Sequence, residues 1–268
     1  MTDTALVDIG VNLTDRRFGQ DREEVIQRAR QAGVRAQIVT GTSLEGSRQA
    51  VALAAEHADL FPTAGVHPHV ARDFSDGVAR ELEELIRDPS SEIRAVGETG
   101  LDFNRDFSPR PDQESAFARQ LELAVETGMP VFLHQRDAHE RFVPILREYR
   151  DHLPAAVVHC FTGTREELFD YLDLDCHIGI TGWLCDERRG DALRAAVHNI
   201  PDERLLVETD SPWLLPRTPE AQPPVRKRNE PALLPVIVRA LAEHRRQTFE
   251  EVARNTFENS CRFFRLSP

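Results

Sequence analysis

The chain has 268 residues, 40% of them hydrophobic, with a formal net charge of −12 and a sequence pI near 5.3. That balance argues against a protein that coats duplex nucleic acid through a wide basic face, yet it allows an enzyme that grips substrate through a cation and a small local patch. No apolar run reaches the ~18 residues of a membrane span, and the start "MTDTALVDIGV" lacks the regions of a signal peptide, so a cytoplasmic protein without a membrane partner is expected.

The four cysteines, Cys160, Cys176, Cys185 and Cys261, have no C-x-x-C spacing, which suits reduced thiols. Along the chain, short β-rich apolar runs alternate with longer amphipathic stretches. The runs are 5–11, 35–41, 60–67, 93–98, 130–134, 155–160, 176–182 and 204–210. Between them "DREEVIQRARQAG" (21–33), "SLEGSRQAVALAAEHA" (43–58) and "DQESAFARQLELAVETG" (112–128) carry helical periodicity, the last with Gly128 as C-cap. Residues 231–244 and 248–264 supply closing helices. Eight strand–helix alternations predict a (β/α)8 TIM barrel in one domain, 1–268. A doubly wound sheet would carry a Gly-rich phosphate turn, and "VDIGVNLTD" is not one.

In such a barrel catalytic groups gather at the C-terminal strand ends. Those ends carry Asp8 with Asn12, then His67, Glu98, His134, His159 and Asp210. One histidine at a strand end is ordinarily a satisfied core residue. His134 and His159, with Glu98 and Asp210 in equivalent places, point instead to a divalent cation held by imidazole and carboxylate. Without a cation, crowded acceptors would repel one another or shift their pKa values. Asp210 would also accept the proton of an attacking water. Glu208 shares its strand parity, and orienting a ligand or pairing with a core arginine suits it equally.

The segments "DIGVNLTD", "TAGVHPH", "GETGLDFNRDF", "PVFLHQRDAHERF", "HCFTGTREE", "IGITGW" and "ETDSPWLLP", followed by "RNEP", resemble the TatD-type metal-dependent deoxyribonucleases, in order and over essentially the whole chain. The resemblance implies a barrel of the amidohydrolase-like, metallo-dependent hydrolase type and divalent-metal-dependent hydrolysis of phosphodiesters. The branch it is most similar to implies a magnesium-dependent 3′-to-5′ exonuclease on single-stranded DNA and RNA, with a role in repairing oxidative damage. It assigns the metal to Glu98, His134, His159 and Asp210, with Glu98 and Asp210 catalytic, and a substrate phosphate to His67; His69 is less securely matched. One departure stands out. Where many relatives have H-x-H after the first strand, this chain has Gly10 and Asn12. Loss of those imidazoles tilts the site toward oxygen ligands, hence Mg2+ or Mn2+ over a tightly held zinc pair.

The run "VRKRNEP" (225–231) follows the last strand, so Arg226, Lys227 and Arg228 are candidates for backbone phosphates, against a solvated cluster offsetting nearby acids. Trp183, Trp213, Phe103, Phe107 and Phe161 fall in the same set of loops, as base-stacking candidates or as core. The expectation is a monomeric nuclease for single-stranded DNA or RNA. A metal-dependent amidohydrolase or esterase for a small molecule or aminoacyl-tRNA is the alternative, and a binding protein with a vestigial site the third reading.

Overall fold

The computed structural model describes residues 4–267. Its strands are β1 Leu6–Val11, β2 Val34–Val39, β3 Leu60–Ala64, β4 Ala95–Asp102, β5 Val131–Arg136, β6 Ala156–Val158, β7 His177–Ile180 and β8 Leu205–Val207. The helices are α1 Arg22–Gln31, α2 Leu44–Ala54, α3 Asp76–Arg87, α4 Arg110–Thr127, α5 His139–Arg150, α6 Arg165–Asp173, α7 Asp191–Ala196, α8 Leu234–Arg245 and α9 Phe249–Phe264. All eight strands join one sheet in the order β1 to β8, and the pairings described are parallel. A parallel bridge from Val11 to Ser211 brings the end of β1 to the segment after β8. This is the (β/α)8 TIM-barrel topology that the alternation predicts. Among the described residues no helix is long and apolar enough to cross a membrane.

The local chemistry explains the element boundaries. Ser43 caps α2 by accepting the Gly46 N–H, and Thr248 and Glu251 form a reciprocal capping box at α9. Gly128 ends α4 at φ 65°, with its N–H on the last carbonyls. β1 and β4 are buried along their whole length, as strands covered on both faces must be.

The chain divides into two compact units. One holds the chain up to Val39, Cys160–Phe169 and the chain from Ile178 onward; the other holds Thr40–His159 and Asp170–His177. In the first, α9 packs against β1 and β8. In the second, α4 packs on β4, and Ala64, Val66, Leu82, Ile93 and Leu123 form one core cluster.

One boundary differs from the sequence reading in a way that matters. The apolar run ends at Glu98, but β4 continues to Asp102. Glu98 therefore lies inside a strand, with Asp102 four residues on and of the same parity. The continuation depends on two glycines. Gly97 and Gly100 have φ of 143° and 145°, and a Cβ at either would strike the carbonyl oxygens of Phe132 and His134 respectively. Only glycine combines those dihedrals with so close an approach to β5.

Candidate metal and active site

In the second unit β4 and β5 bring Glu98 and His134 side by side, and β6 ends just before His159. Three imidazoles converge on one carboxylate oxygen, Glu98 Oε1. His134 Nδ1 and His159 Nε2 each lie 2.8 Å from it, and His67 Nε2 lies at 3.3 Å. The first two nitrogens are 3.4 Å apart. An sp2 oxygen has two lone-pair directions, so hydrogen bonds alone serve this arrangement poorly.

The protonation states follow from the partners. Burial pushes the Glu98 carboxyl up, but His159, His67 and His134 together outweigh it and hold the group well below its usual value. Burial also lowers His134, yet the neighbouring carboxylates of Asp102 and Glu98 win and raise it. His67 behaves oppositely: burial takes it down to about 4 despite Glu98. It is therefore neutral at pH 7, and because the His69 backbone N–H donates to its Nδ1 at 3.0 Å, its own hydrogen sits on Nε2. His67 thus presents a donor, whereas proximity alone would group it with Glu98 and His134 as a ligand set whose atoms lie within 4.8 Å.

The donors fit a divalent cation. His134 Nε2 is buried without a hydrogen-bond partner, 3.6 Å from Asp102 Oδ2. Imidazole nitrogens and an ionised carboxylate packed this closely are the groups that Zn2+, Mn2+ or Mg2+ takes. Asp102 extends the arrangement. It bonds His69 Nε2 at 2.7 Å and accepts the N–H groups of Asn104 and Arg105. Burial pushes its carboxyl up, but the nearby His134 imidazole and the bonds to His69 and Arg105 hold it far below the usual range. The Phe107 ring, 53% exposed, sits edge-on to His69 at 4.8 Å. Sequence reasoning passed over Asp102; its signal was the four-residue spacing from Glu98 along one strand face.

The first unit holds the other candidates. Asp210 follows β8 at φ 52°, and its N–H donates to Gly10 O. Asn12 Nδ2 donates to Asp210 Oδ1 at 3.1 Å, so the residue standing in the H-x-H frame serves the aspartate as a hydrogen-bond donor. Asp8 is fully buried and accepts both the N–H and the hydroxyl of Thr209; burial raises it to about 7 against those bonds. Glu208 accepts the Cys160 N–H at 2.6 Å, which fixes the residue after His159.

The basic run divides. Arg226 and Lys227 are exposed. Arg228 is buried, with its terminal nitrogens on Asp21 at 2.7 and 2.6 Å, Glu230 at 2.7 Å and the Arg17 carbonyl at 2.8 Å. That corrects the reading of Arg228 as a phosphate contact: its guanidinium fastens the loop to the start of α1, and its charge is spent there. Of the aromatic candidates, Phe161 is buried core, Phe103 lies under Arg110, and Trp213 and Phe107 are exposed.

The family model described as TatD related DNase matches residues 7–265. A protein of Dickeya dadantii (strain 3937) named 3′-5′ ssDNA/RNA exonuclease TatD is 54% identical, covering 97% of this chain and 98% of its own length. One of the same name from Pantoea ananatis is 52% identical, covering 97% of this chain and 100% of its own length. The crystal structure of YJJV, a TatD homolog from Escherichia coli K12, superposes with a TM-score of 0.90 at 29% identity, covering 99% of this chain and 100% of that one. A β-aspartyl dipeptidase from Fervidobacterium islandicum, at 16% identity and TM-score 0.64 over 98% of this chain and 75% of that one, shares the fold alone. The chain belongs to the TatD-related DNase family.

Proposed function

We propose that the chain is a divalent-metal-dependent 3′-to-5′ exonuclease of single-stranded DNA and RNA. The observation that carries this is the convergence of His67, His134 and His159 on one oxygen of Glu98, in a member of a nuclease family whose relatives bear that name. In this reading Glu98, His134, His159 and Asp210 hold the cation, and Mg2+ is its identity, with Mn2+ or Zn2+ as substitutes. A bound divalent cation supplies polarisation of the phosphodiester and a lowered pKa for water. The protein does the rest. Asp210 takes the proton of the attacking water, its carboxylate oriented by Asn12. His67 donates from Nε2 to a non-bridging phosphate oxygen, a role its neutral tautomer suits. Asp102 holds His69 and braces His134. Arg226 meets backbone phosphates further along the strand.

The same reading makes the chain one cytoplasmic domain that works as a monomer in DNA repair; the family match from 7 to 265 supports the single domain, and four cysteines outside any disulfide suit a reducing compartment. The test is hydrolysis of end-labelled single strands in Mg2+, with EDTA and with 3′-blocked ends. Mononucleotides from free 3′ ends, abolished by EDTA and by the block, are expected. No hydrolysis with any divalent metal, or hydrolysis that persists in EDTA, would overturn the proposal.

A further inference from the structure

The chain contains two tryptophans, and both lie in the first unit under arginines. The Arg17 guanidinium sits 3.6 Å over the Trp213 ring, and that of Arg189 sits 4.0 Å over Trp183. Trp213 nonetheless remains 44% exposed, an unusual state for so large an apolar ring in a water-soluble surface. Neither position is loose. The Trp213 N–H donates to the Asp210 carbonyl at 3.0 Å. Asn229 ties the same turn to the basic run, through its N–H to Pro212 O and its amide to Thr209 O. Arg228 ties that run to the Arg17 carbonyl. On the other side, Gly182 packs against the Leu214 carbonyl and the Pro216 ring, so closely that a Cβ would collide with both. This seats the Trp183 turn beside the Trp213 turn. Asp186, buried, accepts Arg189 at 2.8 Å and holds Arg217 at 3.5 Å, which keeps Trp183 and its arginine in place.

We propose that these two arginine-capped tryptophans form a stacking track for the unpaired bases of a polynucleotide, entering beside Asp210. The inference rests on the nuclease reading above and names where its substrate is gripped. Flat rings and guanidinium planes stack on any base, which suits sequence-independent binding of single strands. Charge agrees locally: in a chain of net charge −12, Arg17 and Arg189 lie over the two rings and Arg217 beside Asp186, while the exposed Arg226 and Lys227 precede Arg228, which reaches the Arg17 carbonyl. Arg189 is paired with Asp186, and the exposed acids Glu187 and Glu220 lie in the same segments. A duplex, whose bases are already stacked on one another, has nothing to offer the rings.

The test compares an eight-nucleotide (dT) strand with an abasic strand of the same length and charge, in Mg2+. For Trp213→Ala, the ratio of kcat/KM on (dT) to kcat/KM on the abasic strand is expected to fall by roughly 5- to 100-fold, chiefly through KM, with Trp213→Phe restoring most of it. Equal losses on both strands, or no loss on either, would overturn the track. Because both tryptophans lie in it, the intrinsic emission gives an independent readout: (dT) should quench it and the abasic strand should not. If the native chain cleaves neither strand, the nuclease reading fails. Quenching then decides the track by itself, with equal or absent quenching by the two strands counting against it.

Discussion

Two carboxylate sites in this molecule are neutralised in opposite ways. In the first unit Asp21 and Glu230 are held by Arg28 and Arg228, with nitrogen–oxygen separations of 2.6 to 3.4 Å. In the second, Glu98 is met only by imidazoles. Arginine is a permanent cation whose planar fork matches a carboxylate, so the first cluster carries its own counter-charge and serves to fasten a loop. Histidine is a base near neutrality. Around this oxygen His67 gives an N–H, whereas His134 and His159 bring imidazole nitrogens 3.4 Å apart, a pair that a divalent cation can use and a proton can only partly satisfy. The choice of base beside an acid thus separates an architectural ion pair from a site open to chemistry.

Mirror-image substitutions test that separation. His134→Ala is expected to reduce strand hydrolysis by at least ~1,000-fold, because one ligand of the cation goes. Its thermal midpoint should stay close to that of the native chain, since His67 and His159 still meet the Glu98 carboxylate. Arg228→Ala should do the reverse. It leaves Glu230 buried beside a weakened partner set, at a cost of roughly 3 kcal/mol in denaturant unfolding, while whatever remains folded keeps most of its kcat. Equal loss of stability in the two variants would break the comparison.

Asp8 supplies a third, smaller case: a buried carboxylate met by the backbone N–H groups of Gly10 and Thr209 and the Thr209 hydroxyl. Burial raises it to about 7 from the ordinary 3.8. Between those values the folded chain holds a proton that the unfolded chain has released, so stability falls as pH rises through that window. Asp8→Asn removes the titrating group. The difference in unfolding free energy between native and variant chains should therefore drift by about 4 kcal/mol from pH 4 to pH 7.5, and stay level above it. A difference independent of pH would show that Asp8 titrates normally.

The sequence made much of this visible because barrel strands are read by composition and the site by position. The eight apolar runs correspond to β1 through β8, and Glu98, His134 and His159 stand together as their places in those runs suggest. What stayed hidden depends on distances between remote residues. That β4 passes Glu98 and reaches Asp102 follows from its close approach to β5 at Gly97 and Gly100, which composition does not express. Arg228 looked like its neighbours Arg226 and Lys227, and only the meeting with Asp21, some two hundred positions earlier, separates its role from theirs. The hydrogen position on His67 likewise depends on a backbone N–H two residues away, whose direction no residue pattern encodes.

The most direct test of the account is anomalous diffraction from a crystal of the protein soaked in manganese. A single strong peak in bonding contact with Glu98, His134 and His159 is the expected result. Those three side chains left in their mutual hydrogen bonds, with manganese bound elsewhere or nowhere, would contradict it.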